Sequence, residues 1–443
     1  MPTAIEIYKL LPKKNCGECG VPTCLAFSML LANQKTELSK CPYVSEEAKK
    51  TLEESAAPPI RLVKIGVGEN VVEVGDETEL FRHEKAFFHP TAYGLIINDS
   101  LPEKEFLARL EEAEKTRFER VGQLLALNMV AVKNSSGDPQ RFVDAVKLAT
   151  KSSLALVLMS FDPKAMGEAL KVCSNKKPLV YAANNENFDE MCLLAKEHGC
   201  PLVIHEASNL ENLAELAKKA RDKGLEDLVL DFGCKPLRET HDTLTIIRRL
   251  AIKKKFRPLG FPVLLVVEND EQTIEKAIVG TAKYASIILL DDISREFIVP
   301  LFTLRQNIYT DPRVPLQVKP ELYPVGSPDE NSPLLFTTNF SLTYFTVLAD
   351  IEKSKVPVWL QVVDTEGLSV LTAFAAGKLT PDSVVAALEK TNAKNKVKRN
   401  EIIIPGAVTR MSGKLEEISG MKVVVGPRES SALPKFLKEY VAG

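Results

Sequence analysis

Histidine is scarce in this chain, neither sign of charge is in excess, and long apolar runs are missing. Five histidines occur in 443 residues, His83, His89, His198, His205 and His241, and none follows His241. No two are spaced as a metal pair, so each reads as structural or exposed rather than catalytic. Basic and acidic residues number 57 and 59, a net charge of −2, which leaves no electrostatic footprint for nucleic acid. No apolar run reaches membrane-spanning length, and the opening MPTAIEIYKLLPKK has neither a signal-peptide core nor a cleavage site. A cytoplasmic protein with no membrane and no nucleic-acid partner is expected. No glycine-rich dinucleotide fingerprint follows any apolar run.

What is present begins with cysteine. Cys16, Cys19, Cys24 and Cys41 stand at a C-x2-C-x4-C-x16-C spacing, the first three broken up by Gly17, Gly20 and Pro22. Such turn-forming residues let a backbone bend around sulfurs, and the fourth cysteine returns from beyond a helical stretch, Leu25–Leu38. Four thiolates converging this way suit a [4Fe–4S] cluster. Tetrahedral zinc is the alternative, although zinc sites tend to use two short-spaced pairs; disulfides are disfavoured without secretory signals. Cys173, Cys192, Cys200 and Cys234 lack ligand spacing and read as small buried hydrophobes.

A composition of 45% hydrophobic and 26% charged residues gives room for two or three domains. A short helix over Ser45–Ser55, capped by Ser45 with Glu46 and Glu47 in its first turn, leads into the linker Ala56-Ala57-Pro58-Pro59. A strand-like pair between Ile60 and Val74 and a charged loop, Gly75–Pro90, follow. Apolar runs then recur at Tyr93–Ile97, Leu125–Val132, Leu154–Met159, Pro178–Ala182, Pro201–His205, Leu228–Asp231, Pro262–Val267 and Ser286–Leu290, with helical patterns between them. Eight strand–helix units predict a (β/α)8 TIM barrel, with a doubly wound open sheet as the rival. Its strand-end polar residues, Asn98, Asp99, Ser160, Asn184, Glu206, Asp231 and Glu268, form no evident acid–base set and serve equally as helix caps.

Prolines recur through Thr310–Asn331, a second break. Beyond it, strands over Leu334–Thr337, Val358–Val363, Glu401–Ile404 and Lys422–Val425 alternate with helices over Leu368–Ala376, Pro381–Thr391 and Arg428–Tyr440. The fold class is therefore multidomain α/β: an iron–sulfur domain over residues 1–57, the barrel over 58–310 with a lead-in at 58–92, a linker over 311–325, and a Rossmann-like α/β domain over 326–443. Four strand-end loops rich in hydroxyl and glycine residues follow the C-terminal strands, where open α/β sheets bind ligands. Helix capping alone accounts for any one of them; four together point to a bound cofactor.

The stretches KNCGECGVPTC, NSPLLFTTNFSLTYF (Asn331–Phe345), DTEGLSVLTAFAAGK (Asp364–Lys378) and GPRESS resemble the large (gamma) subunit of the corrinoid/iron–sulfur protein of the acetyl-CoA synthase (Wood–Ljungdahl) pathway. The resemblance covers essentially the whole chain. It implies that the C-terminal domain binds cobalamin, with Thr338, Asn339, Thr343, Tyr344, Gly367, Leu368, Ser369, Val370, Gly406, Gly426, Ser430 and Ser431 as contacts. It also implies a methyl carrier. A cob(I)amide accepts a methyl group from methyltetrahydrofolate on a separate methyltetrahydrofolate:corrinoid methyltransferase and delivers it to acetyl-CoA synthase, while the cluster reactivates Co(II). The implied partners are a small subunit in a heterodimer, the methyltransferase, acetyl-CoA synthase and a reductive activator. Many cobalamin modules carry an Asp-x-His-x-x-Gly motif whose histidine ligates cobalt, and no histidine exists in this domain to do so. Loss of that σ-donor makes Co(I) easier to reach. Two rivals remain at this level: a pterin-binding methyltransferase with a structural cluster, and a corrinoid-free electron-transfer protein.

Overall fold

The computed structural model describes residues 4–33, 35–45, 48–49, 52, 57–84, 87, 89–233, 235–310 and 315–442. Cys234, much of the Ser45–Ser55 helix and the start of the 311–325 linker lie outside them. The chain falls into two units, Met1–Arg117 with Ala126–Tyr309, and Phe118–Leu125 with Thr310–Gly443.

The first unit opens with α1 (Ala4–Leu10) and α2 (Cys24–Ala32). They pack through a small core of Ile7, Leu11, Phe27, Val44, Ala48 and Leu52, in which Cys24 and Cys41 are also buried. The Ser45 hydroxyl accepts from the Ala48 amide at 3.1 Å, the N-cap that its sequence position suggests. Next come β1 (Val63–Ile65) and β2 (Val72–Val74), an antiparallel pair in register Val63 to Val74.

Eight parallel strands then alternate with helices. They are β3 (Ala92–Asn98) and, after the two-stranded hairpin β4 (Arg117–Arg120) and β5 (Gln123–Ala126), β6 (Met129–Lys133), β7 (Ala155–Met159), β8 (Leu179–Ala183), β9 (Leu202–His205), β10 (Leu228–Asp231), β11 (Leu264–Val267) and β12 (Ile287–Leu290). The helices are α3 (Glu103–Lys115), α4 (Pro139–Ala149), α5 (Pro163–Cys173), α6 (Phe188–His198), α7 (Leu210–Asp222), α8 (Leu237–Ile252), α9 (Thr273–Ala282) and α10 (Arg295–Tyr309). Strand order is β10-β9-β8-β7-β6-β3-β12-β11, and a parallel bridge from Leu230 to Val263 joins the two ends. The sheet is a closed (β/α)8 barrel, and the open-sheet alternative is excluded. Val63, Ile65 and Val74 of the β1–β2 pair share a core with Ala92, Met129, Ala155, Leu179, Leu264 and Ile287. These six residues begin or nearly begin their strands, so the pair seals the amino end and leaves the carboxyl end open. The run Leu125–Val132, read as one strand, is two. Its first residues belong to the β4–β5 hairpin, which turns at Val121 and Gly122, both at positive φ (51° and 72°), the geometry of a tight two-residue hairpin. Cys173, Cys192 and Cys200 are buried, and burial pushes their thiols up to about 12, 11 and 11.

The second unit is a five-stranded sheet of β13 (Leu322–Val325), β14 (Leu334–Thr338), β15 (Val358–Val363), β16 (Glu401–Ile404) and β17 (Lys422–Val425), in the order β13-β15-β14-β16-β17. Its helices are α11 (Ser341–Ser354), α12 (Val370–Ala375), α13 (Pro381–Lys390), α14 (Ser412–Ser419) and α15 (Leu433–Ala442). Residues Leu322–Val325, inside the stretch read as linker, form an antiparallel edge strand on β15, while the other pairings are parallel. Both sheet faces are covered. Leu334 and Phe336 point into one core and Leu335 into the other, the period-2 alternation of a strand buried on both sides. Thr380 and Ser383 form a reciprocal capping box ahead of α13, with Pro381 in its first turn, as the sequence indicates. Helices α11 and α14 have no counterpart in the sequence reading.

Candidate functional site

Strand β14 starts the parallel sheet, and the chain moves to β15 on one side before crossing to β16 on the other. The reversal between β14 and β16 is a topological switch point, where loops from adjacent strands leave in opposite directions and a crevice opens. These two strands pair only at Leu335 with Ile403. A cavity of about 270 Å³ sits there, walled by Leu335–Thr337 of β14, Ile403–Pro405 of β16, Leu342, Thr343 and Thr346 of α11, and Gly426–Arg428. Leu342, Leu371 and Val425 are apolar yet 60%, 54% and 40% exposed, and Leu342 also lines the cavity.

The polar groups around this cleft are unusual. Thr337, Thr338 and Ser341 are at most 1% exposed, and their hydroxyl oxygens have no hydrogen-bond partner among the described residues. A buried unpaired hydroxyl costs about 1–3 kcal/mol; Thr337 and Thr338 end β14 and Ser341 begins α11, and of the three Thr337 lines the cavity, where a ligand's polar group would satisfy it. Among the described residues Arg428 is the single charged one lining the cavity.

The residues expected as cofactor contacts divide into groups. Thr343, Val370, Gly426 and Ser430 line the cleft. Gly406 shapes it: a Cβ there would lie 2.5 Å from the Gly426 carbonyl oxygen and 2.9 Å from the Arg428 nitrogen, so the β16 and β17 loops touch only because this residue has no side chain. Asn339 is buried and its amide is fully engaged by protein. Its Nδ2 donates to Gln317 Oε1 and Asp364 Oδ1 at 3.1 and 3.0 Å. Its Oδ1 accepts from the Thr365 amide and hydroxyl and from the Gly367 amide, each at 3.0 Å. Asn339 thus clamps the β14 and β15 loops together. Gly367, at φ 77°, turns that loop, and a Cβ would lie 2.9 Å from both Pro315 and Gln317; its need for glycine comes from the protein itself. Tyr344 packs with Tyr323 and Phe345 at centroid distances of 5.2 and 5.1 Å, and burial raises its hydroxyl to about 12. Leu368 packs in the core, the Ser369 hydroxyl pairs with Thr372 at 3.0 Å, and Ser431 is exposed outside the cavity lining. Thr337 and Ser341 fall in the loop Thr337–Tyr344 and Arg428 in the loop Gly426–Ser431, both expected from sequence as contact loops, whereas Thr346 was not singled out.

Cys16 and Cys19 lie in the loop leading into α2, whose first residue is Cys24, and Cys41 follows the short helical turn Leu38–Lys40. Asn15 Oδ1 accepts from the Cys24 amide at 2.8 Å, and the Tyr43 hydroxyl donates to Glu18 Oε1 at 2.8 Å. These contacts draw the Cys16–Cys19 loop toward Cys24 and Cys41. Glu18 raises the Tyr43 hydroxyl, through its hydrogen bond and its charge, with smaller contributions from burial, Cys16 and Cys41. Cys24 and Cys41 are buried, Cys19 is partly buried against the same core, and Cys16 is exposed; none is in a disulfide. Among the described residues no group of three or more Cys, His, Asp or Glu side chains is arranged to hold a metal ion. By donor type the set fits thiolate-bound iron; the arrangement does not gather the four sulfurs on one point.

A thiol-bearing segment, a closed barrel and a parallel sheet with a ligand-type cleft at its switch point define a multidomain α/β protein with two separate places suited to a prosthetic group. The chain belongs to the family of corrinoid/iron–sulfur protein large subunits, the gamma subunits of acetyl-CoA decarbonylase/synthase. It is similar to the corrinoid/iron-sulfur protein large subunit of Moorella thermoacetica, 47% identical over 99% of both chains. It is also similar to the acetyl-CoA decarbonylase/synthase complex subunit gamma of Methanothermobacter thermautotrophicus, 38% identical over 99% of both, and to that of Methanopyrus kandleri, 38% identical over 99% of this chain and 97% of the other. A family profile described as CO dehydrogenase/acetyl-CoA synthase delta subunit matches residues 62–437, and one described as an Fe-S cluster matches residues 11–43. Among the described residues no helix is long and apolar enough to cross a membrane.

Proposed function

We propose that this chain is the methyl-carrying subunit of an acetyl-CoA synthase system, with a corrinoid held over the switch-point cleft of the second unit. The observation that carries this reading is the buried hydroxyl of Thr337 in the cleft wall, unpaired among the described residues, with those of Thr338 and Ser341 unpaired close by in the chain. Hydroxyls that meet no protein partner are matched by a ligand whose edge is lined with amides. The cavity is smaller than a corrin macrocycle, so it would take part of the ligand, and the exposed Leu342 would contribute apolar rim. Arg428 supplies a cation suited to a phosphate in the ligand's nucleotide tail. Bound there, a corrinoid supplies a cobalt nucleophile for a methyl group taken from methyltetrahydrofolate on a separate methyltransferase and passed to acetyl-CoA synthase.

Cys16, Cys19, Cys24 and Cys41 would hold a [4Fe–4S] cluster, which supplies the electron that returns oxidised cobalt to its reactive state. The names of the relatives support a small subunit and the synthase complex as partners, and a methyltransferase and a reductive activator complete the cycle. No histidine follows His241, so this unit offers the cobalt no imidazole from below.

Electron paramagnetic resonance of the full chain reconstituted with hydroxocobalamin and reduced to Co(II) tests the reading. A cobalt signal that survives desalting, without superhyperfine splitting from an axial nitrogen, is expected. Axial nitrogen splitting overturns the unligated face, and loss of cobalt on desalting overturns corrinoid binding itself.

A further inference from the structure

The open end of the barrel carries a side-chain cluster that methyl carriage on a separate cofactor does not use. Asp231, the last residue of β10, is 1% exposed. Its Oδ2 accepts from the Tyr181 hydroxyl at 2.7 Å and meets His205 Nδ1 at 2.8 Å, and its Oδ1 accepts from the Gly233 amide at 2.8 Å. The three side chains come from adjacent strands, β8, β9 and β10. With Nδ1–H directed at the carboxylate, the other imidazole nitrogen is fixed as the working atom. His205 Nε2 meets no partner among the described residues, and the side chain is 22% exposed.

A flat apolar wall stands beside it. Phe161, following β7, is 45% exposed and lies 5.4 Å from the His205 ring and 5.8 Å from the Tyr181 ring, centroid to centroid. A large aromatic left half in solvent at the mouth of a barrel, edge-on to an oriented imidazole, is a stacking platform with a hydrogen-bonding group at its margin. Elsewhere on the mouth, Lys133 at the end of β6 is 4.0 Å from Glu268 after β11. The charge of Glu268 reaches Tyr181, and Asp291 follows β12 with its carboxyl raised, chiefly by burial. Burial opposes protonation of His205, but its hydrogen bond to Asp231 and the charges of Asp231 and Glu206 outweigh it, so its pKa is raised. The platform therefore has a hydrogen-bonding nitrogen, Nε2, at its margin.

We propose that the barrel mouth binds a small planar nitrogen heterocycle, stacked on Phe161 with a polar ring atom hydrogen-bonded to His205 Nε2. Asp231 and Tyr181 are positioning residues that fix the imidazole. This inference does not depend on the corrinoid reading, since the residues belong to the first unit alone.

Five histidines make the site readable by nuclear magnetic resonance of the full chain labelled at histidine Cε1, with His205→Gln identifying the resonance. Folic acid and adenosine are the planar probes and succinate the non-planar control. Saturable movement of the His205 resonance by at least one planar probe is expected, with none from succinate. Phe161→Ala, a change at an exposed position, should weaken that probe by about tenfold, the size of a lost stacking partner. The other four histidine resonances report that each variant is folded. A His205 resonance that neither planar probe moves overturns the proposal, as does a Phe161→Ala protein that binds as tightly as the parent.

Discussion

Replacing Thr337 by valine should strengthen the cofactor-free protein and weaken its hold on a corrinoid. Thr337 is 1% exposed, lines the switch-point cleft and carries a hydroxyl without a partner. Valine keeps the shape and removes the oxygen, so the desolvation cost of an unmatched hydroxyl, about 1–3 kcal/mol, is relieved in the free protein. Taking the lower end of that range and a urea slope of about 2 kcal/mol/M, the unfolding midpoint should rise by about 0.5 M. The single tryptophan, Trp359, lies in β15 of the same sheet, so its fluorescence follows this unit without interference from the barrel. In the bound state the same substitution deletes one neutral hydrogen bond worth about 0.5–1.5 kcal/mol, a loss of about 2- to 13-fold in affinity. Titration of Trp359 quenching with hydroxocobalamin measures it. The opposite signs are the diagnostic. A valine protein that is less stable when free, or that binds hydroxocobalamin as tightly as the parent, refutes the assignment of this hydroxyl to the ligand.

Gly406→Ala places a Cβ 2.5 Å from the Gly426 carbonyl oxygen and should lower the Trp359 unfolding midpoint, since overpacking of this kind costs about 1–3 kcal/mol. An unchanged midpoint would mean that the two loops yield without cost. Cys41→Ala should abolish bound iron and sulfide while leaving hydroxocobalamin binding intact, because Cys41 belongs to the N-terminal core and not to the C-terminal sheet. Parent protein that carries one zinc per chain and no iron would falsify the cluster assignment.

The parts of the fold legible in sequence were those whose signals are local and repeated. Eight apolar runs spaced by helical patterns identify the barrel, because each strand must be buried on both faces. The β4–β5 hairpin escaped because its turn residues are Val121 and Gly122, where a β-branched residue stands in place of the usual Asn or Asp. Helix α11 escaped because it begins after Phe340 with no side-chain cap and is rich in Leu, Thr, Tyr, Phe and Val, residues that favour strands as readily. At the cleft, loop composition located the region, but composition does not tell a hydroxyl left unpaired by the protein from an amide that holds two loops together. Asn339 and Thr338 are neighbours with opposite fates. The barrel-mouth cluster was invisible because Asp231 alone of its members was among the strand-end residues considered. Tyr181 lies within β8, and His205, the last residue of β9, was weighed only as a histidine; the two meet Asp231 through the pairing of β8, β9 and β10.

The single pairing between β14 and β16 has a consequence for how a bulky guest is received. Most folds must break backbone pairs or displace packed side chains to admit a large molecule, and the energy so used is subtracted from affinity. Here the notch is part of the free protein. Beyond Leu335 and Ile403 the two strands share no further ladder pair; on the other side of β16 its loop is tied to that of β17, with the Gly406 amide donating to the Pro427 carbonyl and the Gly426 amide to the Ile404 carbonyl. A corrinoid seated on this seam, as proposed, would have a single ladder pair between β14 and β16, Leu335 with Ile403, to disturb.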